Sequence, residues 1–379
     1  MIRIWIGRRE SDVLTYKPLY FDYSITLYGS NNLINNFSFI IENRFNSDYS
    51  TEFIEFVKNK IEYILSKEND DFELYFYSSY SKEKLINTYP EFTIHCKNCN
   101  EISIIDWLDN KTYTRLWLSN TVDTPEFKLL SKEECRYDTL INTFKENNEF
   151  VLQINYSDGG EGTYKLNHKN IETYNSLSNT NPYLVSPYYY PSISACCHVI
   201  IGNNETVIFP IGEQIISNYN DHLSYSGTRY DLDKRISNEE KEKCYFFIEK
   251  ISDKLRKIGY RGICGYDFLI YKNTPMFIEI NPRYMGSSYL INYILSINNL
   301  PSLFELNTIA FSEKSLKKYK TIISKLEINY ITYTFHNDST RTIEKPDIPY
   351  TNNLFIDGLN NSKKIEPGAL LYRYFKKIY

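Results

Sequence analysis

No apolar stretch of this chain reaches the roughly 18 residues that would suggest a membrane-spanning helix. The opening "MIRIWIGRRESD" becomes charged after six residues and lacks the apolar core of a signal peptide. There is no basic excess either. The formal net charge is -4, which argues against nucleic acid as the main partner. Seven cysteines, an odd number spread thinly over 379 residues, read as reduced thiols in a cytoplasmic protein rather than a disulfide framework. No internal repeat and no low-complexity linker is visible. These absences lead us to expect a cytoplasmic protein with neither membrane nor nucleic acid as partner.

What is present is a globular balance, 42% hydrophobic and 24% charged, in a chain too long for one ordinary compact domain and about right for two or three. Changes of pattern place the boundaries. Residues 1–108 alternate strand-like runs ("MIRIWIG", "YSITLYG", "FSFII", "FELYFY") with "TEFIEFVKNKIEYILSKE". In that last segment Phe53, Ile54, Phe56, Val57, Ile61 and Ile64 recur near helical spacing, so a small α/β domain is expected. From 109 to 150 the pattern is mostly helical. Further strand-like and helical runs follow in 109–190 and 191–312, and 313–379 reads as a small β-rich ending. Within 191–312, "SNEEKEKCYFFIEKISDKLRKIGY" predicts a helix with Ser237 as N-cap, Glu240 completing a capping box and Gly259 as the stop.

"GYDFLIYKNTPMFIEINPR", residues 265–283, is the most informative stretch. It reads as two strands joined by a short turn. Pairing Tyr271 with Pro275 leaves three residues, Lys272 to Thr274, in the loop and sets Asp267 directly opposite Glu279. By alternation Phe277, Glu279 and Asn281 share one face, and Ile278 and Ile280 the other. Opposed carboxylates with Cβ atoms about 5 Å apart repel unless a cation lies between them. Two carboxylates and an amide oxygen suit Mg²⁺, which is commonly held by one or two carboxylates plus nucleotide phosphates. A solvent-facing strand with scattered polar residues accounts for the same spacing. Arg283, past Pro282, reads either as a phosphate or carboxylate clamp or as a surface arginine.

"SDGGEGTY", residues 157–164, lies between strand-like segments instead of opening a helix, which argues against a Rossmann fingerprint or a Walker loop. Gly159, Gly160 and Gly162 suit an anion-binding nest or an ordinary flexible hairpin. "HCKNCN" carries one CxxC, Cys96 and Cys99, without the second ligand pair a zinc site usually needs. His198, on "CCHVII", could face a substrate but reads better as a buried structural histidine.

These segments in this order resemble the ATP-grasp superfamily of carboxylate ligases. The match runs through "LDNK" (108–111), "FVLQINYSDGGEGTY" (150–164), "YLVSPYY" (183–189), "YSGTRY" (225–230) and "GYRGICGYDFLIYKNTPMFIEINPRYMGS" (259–287). The resemblance implies an α/β N-terminal domain followed by an α+β ATP-grasp fold whose two subdomains clasp ATP between antiparallel sheets. It also implies roles. Asp267, Glu279 and Asn281 would hold one or two Mg²⁺ ions, with Mn²⁺ as a substitute. Gly159, Gly160 and Gly162 would belong to a loop closing over the phosphates, and Lys111 would be the first nucleotide-binding lysine. Ser186, Pro187 and Tyr188 would form the hinge strand beside adenine. Arg283 would lie beside the γ-phosphate and acyl-phosphate, and Arg229 near the substrate end. Two departures stand out. Gln153 occupies a position where the family usually has a lysine, and the hinge lacks the acidic residue often found there.

The activity implied is ATP-dependent ligation of a carboxylate to an amine through an acyl-phosphate, forming an amide or peptide bond with ADP and phosphate as products. Such chemistry rests on positioning and electrostatics and needs no Ser/His/Asp arrangement, consistent with five dispersed histidines. The alternatives are acylation of a carrier-protein thiol, or a nucleotide-binding sensor with reduced catalysis, which Gln153 would permit. Small carboxylate and amine substrates, such as amino acids or peptides, are the expected partners, with a carrier protein under the thiol alternative. The sequence leaves the oligomeric state open, and a homodimer would accord with the resembled family, where dimers are common.

Overall fold

The computed structural model describes residues 1–29, 37–41, 47–68, 70–145, 147–156, 162–171, 182–232, 235–337, 341–344, 354–355, 364–365 and 370–378. Its N-terminal part is a parallel sheet of β1 (Ile2–Arg9), β2 (Tyr23–Tyr28), β3 (Ser38–Ile40) and β4 (Phe72–Phe76), in the order β3-β2-β1-β4. The helix Thr51–Lys67 covers this sheet because Phe53, Ile54, Val57, Ile61 and Ile64 form one buried stripe, while Ser50 caps its first turn through Phe53 N–H. The expected CxxC lies just past a short 3-10 helix, Pro90–His95. Both thiols are free and raised by burial, Cys96 to about 11 and Cys99 to about 12, so they stay protonated and unreactive near neutrality.

The rest of the chain builds one large antiparallel sheet. Its main path is β14 (Thr274–Asn281), β13 (Gly262–Tyr271), β9 (Ile193–Ile201), β11 (Gly212–Tyr219), β12 (His222–Arg229), β7 (Thr163–Leu166), β6 (Phe150–Gln153), β8 (Tyr183–Pro187) and β5 (Lys128–Leu130). The short β10 (Thr206–Ile208) flanks β9. From the C-terminal region, β15 (Tyr330–His336) pairs with β12, and β19 (Leu370–Lys377) pairs with β15. Three two-residue strands lie between them in sequence. Of these, β17 (Leu354–Phe355) pairs with β19, while β16 (Ile343–Glu344) and β18 (Lys364–Ile365) pair with each other. The β-rich ending therefore extends the large sheet. Gly227 permits the β12–β15 pairing: at φ +149 it faces Tyr333, and a Cβ there would lie 2.0 Å from the Thr332 carbonyl oxygen.

Under β9, β13 and β14 lies a core of Val199, Ile201, Phe268, Phe277 and Ile280, closed by the helix Asn238–Lys257. That helix carries the expected capping box. Ser237 Oγ accepts from Glu240 N–H, and the Glu240 carboxylate accepts from Ser237 N–H. A second core, rich in aromatics such as Trp5, Phe21, Tyr284 and Phe304, joins the N-terminal sheet to the helices Ser288–Ile297 and Leu303–Ala310. Among the described residues no helix is long and apolar enough to cross a membrane.

Candidate functional site

The hairpin β13–β14 sets Asp267 opposite Glu279 and Gly265 opposite Asn281. The route to that register corrects the expected one. The loop has two residues, not three: Lys272 and Asn273, at φ +47 and +63, form a tight turn, and Tyr271 pairs with Thr274. A bulge then restores the register. Phe268 pairs with Phe277 but Asp267 with Glu279, leaving Ile278 as the extra residue. The bulge also corrects a face, since Phe277 joins Phe268 and Ile280 in the core while Ile278 and Glu279 line a cavity.

That cavity, about 740 Å³, lies over the large sheet and is within the range of small-molecule sites. Asp267, Glu279 and Asn281 line it, with Lys111, Gln153, Ser186, Pro187, Tyr188, Arg229 and Arg283. Sequence positions far apart along the chain are thus brought to one cavity. Gly162 stands apart in the turn before β7. Its φ of +71 and a Cβ position 1.9 Å from the Ile154 side chain require glycine there. Gly159 and Gly160 lie outside the described residues.

The electrostatics of the hairpin are unusual. Burial, then the Glu279 carboxylate opposite, push Asp267 up to about 8. Its Oδ2 accepts from Asn281 Nδ2 at 3.2 Å, while its Oδ1 is buried with no hydrogen-bond partner. Lys111 Nζ lies 3.2 Å from Glu279 Oε2. The helix Lys111–Leu118 aims this lysine: Asn110 caps it by accepting from Tyr113 N–H at 3.0 Å, placing Lys111 in the first turn, 5% exposed. A partnerless buried carboxylate oxygen facing a second carboxylate suits a divalent cation. Among the described residues no group of three or more His, Cys, Asp or Glu could hold a metal alone. Such a set fits Mg²⁺ held largely through a ligand's phosphates.

Part of the cavity lining is aromatic. Ser186 and Pro187 end β8, and Tyr188 stacks on Tyr190 with ring centroids 6.0 Å apart and planes at 9°. Arg229 is held rigid by Asp231, which accepts from its Nε and Nη2, each at 2.6 Å. His198 does not line the cavity. It is wholly buried, its Nε2 3.0 Å from Ser288 Oγ, and burial lowers it to about 3, the structural role that its strand context suggested.

Sequence reasoning passed over Arg115, Glu213, Gln214, Tyr225, Arg235 and Tyr333, all on the cavity wall. The signal for Arg115 was its position four residues after Lys111, which puts both cations on one helix face. Arg235 is paired with Glu213.

Comparison with known proteins agrees with this geometry. The ATP-grasp domain family matches residues 108–287. The chain carries an ATP-grasp domain. Solved structures with a similar fold include the biotin carboxylase domain of Hydrogenobacter thermophilus 2-oxoglutarate carboxylase, in complex with MgADP and bicarbonate (TM-score 0.66, 13% identity, 99% of this chain and 85% of that one). They also include Staphylococcus aureus N5-carboxyaminoimidazole synthetase complexed with ADP (0.61, 15%, 99% and 93%). A third is phosphoribosylamine–glycine ligase from Thermotoga maritima (0.65, 12%, 99% and 92%). At these identities the likeness speaks for the fold. No curated protein matches the sequence.

Proposed function

We propose that this ATP-grasp protein activates a carboxylate as an acyl-phosphate and joins it to an amine, releasing ADP and phosphate. The observation that carries this reading is the Asp267–Glu279 pair, with its partnerless buried oxygen, in a cavity whose lining also holds Lys111, Arg229 and Arg283. Asp267, Glu279 and Asn281 would hold Mg²⁺, which would supply positive charge to offset that of the phosphates. Lys111 orients Glu279 and faces the phosphates. Ser186, Pro187 and Tyr188 flank the adenine. Arg283 holds the transferred phosphoryl group, and Arg229, fixed by Asp231, receives the substrate carboxylate. The amine nitrogen then attacks the acyl carbon, the bond from that carbon to the phosphate oxygen breaks, phosphate leaves, and the nitrogen gives up a proton.

The test is phosphate release from Mg-ATP in the presence of pooled acids, bicarbonate among them, and pooled amines and thiols. Release that needs one acid and one amine supports the ligase. Release that needs a thiol instead supports transfer to a carrier protein. Turnover unchanged in Glu279→Gln and Asn281→Ala would refute these metal-binding roles. Gln153 favours a second reading, a nucleotide sensor with reduced catalysis, which predicts ATP binding without phosphate release across all pools.

A further inference from the structure

Arg115 is a guanidinium with no exposed surface, one helical turn beyond Lys111. Its Nη2 donates to Gln153 Oε1 and to the carbonyl oxygen of the bulge residue Ile278, both at 3.1 Å. Nε and Nη1 are buried without hydrogen-bond partners. Burial lowers this arginine to about 10 while the nearby Glu279 carboxylate works against the fall, so the group stays charged at neutral pH. A buried cation in this state is costly unless an anion approaches it.

The bond to Gln153 has a directional consequence. A guanidinium only donates, so the oxygen of the Gln153 amide must face Arg115 and its Nε2 must face away. Gln153 is 8% exposed, and the surface it keeps faces the cavity. Its Nε2 has no hydrogen-bond partner among the described residues and is not sealed in the core.

We infer that Arg115 is a positioning residue that locks Gln153 as a hydrogen-bond donor to the phosphates of the bound nucleotide, adding positive field from behind. The inference rests on the ATP-ligase reading and deepens it. The positive charge sits on the helix Lys111–Leu118 while strand β6 contributes a neutral N–H. Gln153 touches the ligand. Arg115 acts through it and through the bulge, whose Ile278 carbonyl it ties beside Glu279.

Gln153→Glu separates this role from a structural one. A carboxylate keeps the bond to Arg115, yet presents an acceptor where the donor stood. We expect the full-length variant to melt no lower than wild type and to lose about tenfold or more in affinity for Mg-AMPPNP, with adenosine affinity within about twofold of wild type. Arg115→Met should show the same selective loss because Gln153 is then free to turn. Arg115→Lys retains a donor and a charge, so it should keep most of the preference for the triphosphate. Calorimetric titration of each variant with both probes reads the ratio. An unchanged ratio in Gln153→Glu, an equal loss for both probes, or Arg115→Lys behaving like Arg115→Met would overturn the inference while leaving the ligase reading intact. Wild type that binds adenosine but not Mg-AMPPNP would overturn both.

Discussion

Replacing Asp267 by asparagine should stabilise the metal-free protein, and the gain should grow with pH. In the folded chain burial and the opposing Glu279 raise this carboxyl from its ordinary 3.8 to about 8. Between those values the folded state holds a proton that the unfolded state releases, so stability falls as pH rises through the window. One pH unit corresponds to about 1.4 kcal/mol, which puts the cost at pH 7 at up to roughly 4 kcal/mol. Asparagine has nearly the same shape and no charge to lose. The variant should match wild type near pH 4, where Asp267 is protonated folded and largely protonated unfolded, and exceed it progressively toward pH 8. Melting temperatures from pH 4 to pH 8 in the presence of a chelator follow this difference. A pH-independent difference, or a variant less stable than wild type at pH 8, would refute the reasoning. The same substitution should abolish Mg²⁺-dependent nucleotide binding, because it removes a carboxylate from the proposed ligand set.

Three further outcomes follow from the structure. His198 is buried and lowered to about 3, so protonation of the unfolded chain below pH 6.5 should cost about 1.4 kcal/mol per pH unit. His198→Asn should therefore flatten the acid limb of a melting-temperature profile below that pH. Gly227→Ala should destabilise the protein by about 1–3 kcal/mol, because a Cβ meets the Thr332 carbonyl oxygen and parts β12 from β15. Thermal unfolding reads the loss. Arg283→Met should lower kcat about a hundredfold or more with little change in Mg-ATP affinity, read by steady-state kinetics beside calorimetry.

The hairpin shows how much of the site could be read from the chain. Reading 265–283 as a hairpin did oppose Asp267 and Glu279, but only because a loop one residue too long was offset by a bulge that alternation does not show. The bulge was hidden. Phe277 and Ile278 are both apolar, so nothing in the pattern says which is the extra residue, and Lys272 does not advertise the positive φ that shortens the turn. Lys111 could be placed because a short motif surrounds it, whereas Arg115 reads as an ordinary helix arginine until long-range folding brings Gln153 and Ile278 to it. The helix Asn238–Lys257 was legible because its capping box is local. The pairing of β12 with β15 and of β15 with β19 was not. It joins segments far apart in sequence, and local pattern carries no partner information.

The central claim is that a carboxylate oxygen attacks the γ-phosphorus of ATP. Isotope transfer tests it most directly. Acids labelled with oxygen-18 in the carboxylate are incubated with the protein, Mg-ATP and amines, and the released phosphate is examined by mass spectrometry. The account predicts phosphate carrying one label from the acid for each amide bond formed. Phosphate released without label, its fourth oxygen drawn from water, would contradict it.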